Sequence, residues 1–189
     1  RLGKDAVRGL SVALQSNDPK LQEALADALR EIGYPHAAPR LKELSEREGV
    51  LQRTRAAALR ALVACAGETA LHKPTAELFY QNALTYYYRK ESVAPDPRYD
   101  TANVWYWKEG LGLTYKPVPR EIFCDVYAMR MARLALEHDS NFYPAVSLWL
   151  AANLRKQADL PEGATDPTHP EGAPTAAYYA LAGSAKYLQ

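Results

Sequence analysis

Trp105, Tyr106, Trp107 and Tyr115 place four aromatic rings within eleven residues. Flat rings of this kind grip peptides, sugars or bases at little ordering cost, so these four are the candidate binding residues. Packing competes with binding, because a hairpin this hydrophobic must bury something to persist. Other groups point to less chemistry. His36, His72, His138 and His169 are scattered, with no His-x-x-x-His pair and no Cys-x-x-Cys, so no metal or other cofactor is expected. Glu121 and Asp125 are four apart and share a helix face, the spacing of a carboxylate pair; a solvated helix N-terminus accounts for them better. Gly110-Leu111-Gly112 suits a tight turn rather than a phosphate cradle, and no catalytic residue is assigned. Arg40, Arg47, Arg53, Arg55 and Arg60 are interleaved with Glu43, Glu46 and Glu48 and read as a salt-bridged solvent face.

These groups must be positioned by a chain of 189 residues, 48% hydrophobic and 24% charged. That length buries a core without disulfides or metals, and the composition excludes disordered and collagen-like classes. A net charge of +1 gives no field to concentrate phosphates, so nucleic acid is a disfavoured partner. No apolar run has the length of a membrane-spanning helix. Cys65 and Cys124 sit among alanine, valine, isoleucine and phenylalanine, the setting of buried thiols, and nothing in their spacing calls for a disulfide.

Helical patterns dominate the first half. Val7, Leu10 and Leu14 recur at helical spacing over residues 5–15. Asp18 then offers a cap and Pro19 a first helical position for an apolar stripe of Leu21, Leu25, Ala28, Leu29 and Ile32, stopped by Gly33. Residues 75–90 form an aromatic helix with Phe79, Tyr80, Tyr86, Tyr87 and Tyr88, and Pro95 and Pro97 make 91–100 a loop. Strand signals follow at 104–107 and 113–116, around a glycine turn. Alternation puts Val104 and Tyr106 on one face and Trp105 and Trp107 on the other. Helices are expected again at 120–138, 144–158 and 175–188, the last two separated by a polar loop dense in proline and glycine.

Residues 18–44, DPKLQEALADALREIGYPHAAPRLKEL, resemble a HEAT repeat of the bacterial, phycobilisome-lyase-like kind. Asp18, Pro19, Ala28, Leu29, Ile32, Gly33, Ala38, Leu41 and Leu44 hold that unit's positions; Gln22 stands where the family commonly has arginine. A looser copy follows through the alanine-rich run 55–62. Residues 131–154 look like tetratricopeptide repeats, with Ala128, just ahead of them, and Ala135 at fixed alanine positions and Asp139-Ser140 at the closing position.

The resemblance implies an all-α fold: a right-handed α-solenoid of HEAT- and TPR-like helical pairs, with one β-hairpin inserted near residues 103–117. Its expected parts are HEAT-like repeats at 1–68, an aromatic helix and loop at 69–100, the hairpin insertion at 101–119 and TPR-like helices at 120–189. The first helix reads as the second half of a unit whose first half is absent, so the chain is expected to be a piece of a longer array. The function this implies is a non-enzymatic protein–protein interaction scaffold within a larger bacterial repeat protein. A protein or peptide is the leading partner and a small molecule the second. Two alternatives follow from the same resemblance: a HEAT-like lyase or tetrapyrrole-binding protein, and a nucleic-acid-binding HEAT module.

Overall fold

The computed structural model describes residues 3–182. Its first helix, α1, covers Lys4–Ala13 and buries Val7 and Val12. Helix α2, Pro19–Ile32, starts where the sequence places it: the Asp18 carboxylate accepts from the Lys20 amide at 2.9 Å, and Pro19 occupies the first turn, where no donor is needed. It stops at Gly33, whose φ of 69° closes the last turn through a bond from its amide to the Leu29 carbonyl. Gln22, in the position where the repeat family carries arginine, is buried and donates to the Ser16 carbonyl at 2.6 Å. A short 3-10 turn, Pro35–Ala37, leads into α3, Ala38–Glu46, and α4, Gln52–Ala66, follows. A further 3-10 turn, Glu68–Leu71, precedes α5, Thr75–Tyr87.

Strands β1, Thr101–Lys108, and β2, Gly112–Pro119, form a two-stranded antiparallel sheet. The tip is a turn in which the Leu111 amide donates to the Lys108 carbonyl at 3.1 Å. Helix α6, Arg120–His138, follows β2 directly, and α7, Tyr143–Asp159, succeeds it. The last described element is α8, Ala176–Ala182. The rest of the helix expected over 175–188, with Ala185 and Leu188, lies outside the described residues.

The chain divides into two compact units. The first comprises residues 1–78 with 105–115. Its core joins Val7 and Leu14, Leu25 and Leu29, Leu41 and Leu44, and Leu62, all at most 8% exposed. Ala57, Ala58 and Ala61 of α4 are also buried there; their small side chains let that helix approach its neighbours closely. The second unit comprises 79–104 with 116–189. Helix α6 is its centre, burying Ile122, Phe123, Val126, Tyr127, Met131 and Leu134 among others, and so is apolar around most of its circumference. Tyr127 stacks on Tyr86 at 4.9 Å and meets Phe123 at 4.9 Å.

The all-α, right-handed solenoid expected from the repeats is therefore corrected. The fold is mixed: 61% helical, with eight α-helices and a two-stranded antiparallel sheet among the described residues, and a solenoid is not what it shows. Each strand is eight residues long, so the sheet reaches beyond the expected 103–117. Local repeat patterns specify pairs of helices; stacking those pairs into a superhelix depends on long-range contacts, and past α4 the chain runs through a 3-10 turn, the single helix α5, a loop and two strands. Helix α5 also ends at Tyr87 rather than at residue 90, because Arg89 takes a left-handed φ of 48° that a helix cannot continue.

Candidate functional site

The aromatic residues of the hairpin divide by role. Trp107 is half-buried and packs against the core of the first unit. Trp105, also half-buried, meets Tyr115 edge to face at 5.3 Å across the strands. Trp105 and Leu113 rest near α1 at Gly9: a Cβ there would stand 3.3 Å from Leu113 Cδ2 and 3.7 Å from the Trp105 ring. Tyr106 is half-buried on the other face, its carbonyl accepting from the Thr114 hydroxyl at 3.4 Å. Tyr115, at 56% exposed, and the neighbouring Leu113 and Leu111, at 39% and 75%, form the open rim.

Also in the first unit, a shallow groove of about 630 Å³ has an apolar floor of Leu59, Val63, Ala64 and Leu71. Arg30 and Arg60, both exposed, flank it. Arg30 itself reaches the exposed Asp27 carboxylate one helical turn back at 3.5 Å, and other arginines of this unit are also turned to carboxylates or carbonyls. Arg40 is buried and pairs with Glu43 at 2.7 Å, Arg53 pairs with Glu23 at 2.9 Å, and Arg47 donates to the Leu14 carbonyl at 3.3 Å.

In the second unit Asp125 is wholly buried and receives Arg89 at 2.7 Å and Arg155 at 2.6 Å. Arg89 also pairs with Asp159, while Arg155 lies 4.0 Å over the Tyr87 ring and donates to the Tyr87 carbonyl at 2.5 Å. Asp125 is thus saturated by guanidinium donors. Glu121 is exposed, 3.5 Å from Arg120. The two carboxylates serve different partners rather than one proton.

A cavity of about 340 Å³ lies between α7, the loop 160–175 and the start of α8. Asn153 and Lys156 line it from α7 and Leu160 from just past the end of that helix, and Ala164, Asp166 and Ala176 close it. Lys156 donates to Asp166 at 2.6 Å, and the other carboxylate oxygen accepts from the Thr168 amide at 2.8 Å and hydroxyl at 2.6 Å. Burial alone would raise the Asp166 carboxyl, but the bonds from Lys156 and Thr168 outweigh it and hold the group below the usual carboxylate range. The loop is shaped by two copies of Pro-Glu-Gly-Ala, at 161–164 and 170–173. In each the alanine amide returns to the proline carbonyl, at 3.0 and 3.1 Å, and the glycine takes a left-handed φ, 77° and 73°. That repeated tetrapeptide is the sequence signal from which an ordered loop, and hence this cavity, was readable.

The histidines stand apart: His36 stacks on Tyr34, His138 stacks on Phe79, His72 is exposed, and His169 approaches the Ala173 carbonyl at 3.4 Å. No cluster among the described residues has the makings of a metal site. Cys65 and Cys124 are free and buried. No described helix is long and apolar enough to cross a membrane. No family model, curated protein or solved structure matches the chain.

Proposed function

We infer that the chain is a non-enzymatic protein-interaction module whose first unit takes an acidic segment with an apolar face. One observation carries this reading: the groove on α4, where Leu59, Val63 and Leu71 offer contact area and Arg30 and Arg60 offer charge at its border. An amphipathic helix laid into such a groove buries its apolar stripe while its carboxylates meet the guanidiniums. The rim of the hairpin, Tyr115 with Leu111 and Leu113, supplies a further apolar contact, and Trp105, Tyr106 and Trp107 hold that rim in place. Two groups with chemistry to offer, Asp125 and Cys65, are buried away from any such surface. The exposed guanidiniums are too few for a sequence-independent grip on a phosphate backbone, which favours a peptide over nucleic acid.

Calorimetric titration of the chain with a short acidic amphipathic peptide tests the reading. Binding should saturate, and Arg30→Glu with Arg60→Glu should weaken it about tenfold or more, the loss of two charge-assisted contacts. A scrambled peptide of the same composition that binds equally well, or a charge-reversed double variant that binds unchanged, would sink it.

A further inference from the structure

The arginines at the corner between α3 and α4 are met differently from those elsewhere in the chain. Arg53, Arg89 and Arg155 each reach a carboxylate, at 2.9, 2.7 and 2.6 Å. Arg47 and Arg55 are half-buried, yet among the described residues neither pairs with a carboxylate. Each donates instead to one main-chain carbonyl through a long bond, Arg47 to Leu14 at 3.3 Å and Arg55 to Arg47 at 3.4 Å. A well-seated guanidinium makes charge-assisted bonds of about 2.7–2.9 Å, so both heads have donors to spare out of about five apiece. Arg55 Nε is buried with no hydrogen-bond partner. The neighbouring acids are engaged elsewhere or turned away. Glu43 is held by Arg40 at 2.7 Å and Glu46 by Lys42 at 3.0 Å, while Glu48, in the loop between the helices, is exposed and forms no ion pair among the described residues. Leu14 and Arg47 cap the C-terminal ends of α1 and α3, and each such end supplies about half a negative charge. Together they offset about one of the two guanidinium charges. The remaining charge sits at a half-buried corner, where the lack of a counter-ion is costly. The donors also narrow the chemistry of that counter-ion. A planar carboxylate offers one edge to a forked donor, and a single guanidinium occupies it. A phosphate group offers three acceptor oxygens, and so has edges for forks arriving both from the end of α3 and from the first turn of α4.

We propose that Arg47 and Arg55 form a binding site for one phosphate group, as the free ion or on a small phosphomonoester, at the corner between α3 and α4. Binding draws the two guanidinium heads from their long carbonyl bonds into short charge-assisted ones. Neither arginine lines the groove on α4, so this site does not rest on the peptide reading of that groove.

Inorganic phosphate and phenyl phosphate are the probes, with acetate at matched ionic strength as the planar control. In nitrogen-resolved NMR of the whole chain, the Arg47 and Arg55 side-chain signals should move to saturation, with a dissociation constant of about 1 mM or tighter for at least one probe. Acetate should bind about tenfold more weakly or worse. Tighter binding of phenyl phosphate would assign the site to an esterified ligand, and tighter binding of inorganic phosphate to the free ion. Arg47→Gln and Arg55→Gln should each weaken the bound probe about tenfold. Arg30→Gln with Arg60→Gln, which discharges the groove, should change it by less than about threefold. Signals of both arginines that stay still with both probes would overturn the proposal on the unaltered protein. So would acetate binding as tightly as phosphate, a folded Arg47→Gln or Arg55→Gln chain binding as tightly as the parent, or a loss that follows the Arg30 and Arg60 change instead.

Discussion

Asp125 carries two guanidiniums with none of its side chain exposed, and that arrangement has an asymmetric cost. Removing the carboxylate strands Arg155, which is 29% exposed and tied to the Tyr87 ring and carbonyl, with an uncompensated charge. Asp125→Ala is expected to lower stability by about 3–5 kcal/mol, read from urea unfolding, a loss much larger than an exposed ion pair gives. A loss below about 1 kcal/mol would show that water reaches the carboxylate. Cys65 answers to burial in another way: desolvation pushes its thiol up to about 11, against a lesser pull from the Tyr34 backbone. The native chain should leave Cys65 unlabelled by a thiol reagent at pH 8 and react only on unfolding. Because the folded value is the higher one, the stability this thiol contributes is whole below the ordinary value of 9.0 and falls as pH climbs toward about 11.

Elements show why some of the fold was legible in the sequence and some was not. The limits of α2 are written in residues that act locally, the Asp18 carboxylate as N-cap, Pro19 in the first turn and the left-handed Gly33 as C-cap, and the structure uses all three in these roles. The hairpin was legible for a similar reason, since alternating aromatics around glycines leave few other conformations. The end of α5 was not, because the turn at Arg89 is held by Asp125 and Asp159, partners 36 and 70 residues away. Asp125 was equally hidden: spacing paired it with Glu121 on its own helix, whereas its partners come from other elements. The solenoid was overread because a repeat motif describes one pair of helices and says nothing of how successive pairs stack. The seat of the hairpin on α1 can be tested directly. Gly9 already brings Leu113 and Trp105 to within 3.3 and 3.7 Å of where a Cβ would be. Gly9→Leu should force those side chains off and destabilise by about 1–3 kcal/mol, despite leucine's better helix propensity. A variant as stable as the parent would mean that the strands give way freely at this point.

Over the whole molecule, a net charge of +1 leaves little long-range field, so any electrostatic attraction for a partner must be local. That separates the two macromolecular partners by their response to salt. A peptide seated in the α4 groove would draw on Arg30 and Arg60, whose exposed pairs contribute at most about 1 kcal/mol each. The rest of its affinity would come from the apolar floor, which salt does not weaken. Raising ionic strength from about 0.05 to 0.2 M should therefore reduce acidic-peptide affinity by less than about tenfold. A chain gripping duplex DNA through six or more phosphates would lose about a thousandfold or more over the same range. Measured by calorimetry or anisotropy on the intact chain, a shallow dependence with the peptide, together with no retention of duplex DNA at low salt, is the expected outcome. A steep loss of peptide binding would place the affinity in charge rather than in the groove, and steep, salt-sensitive binding to DNA would make phosphate the preferred partner.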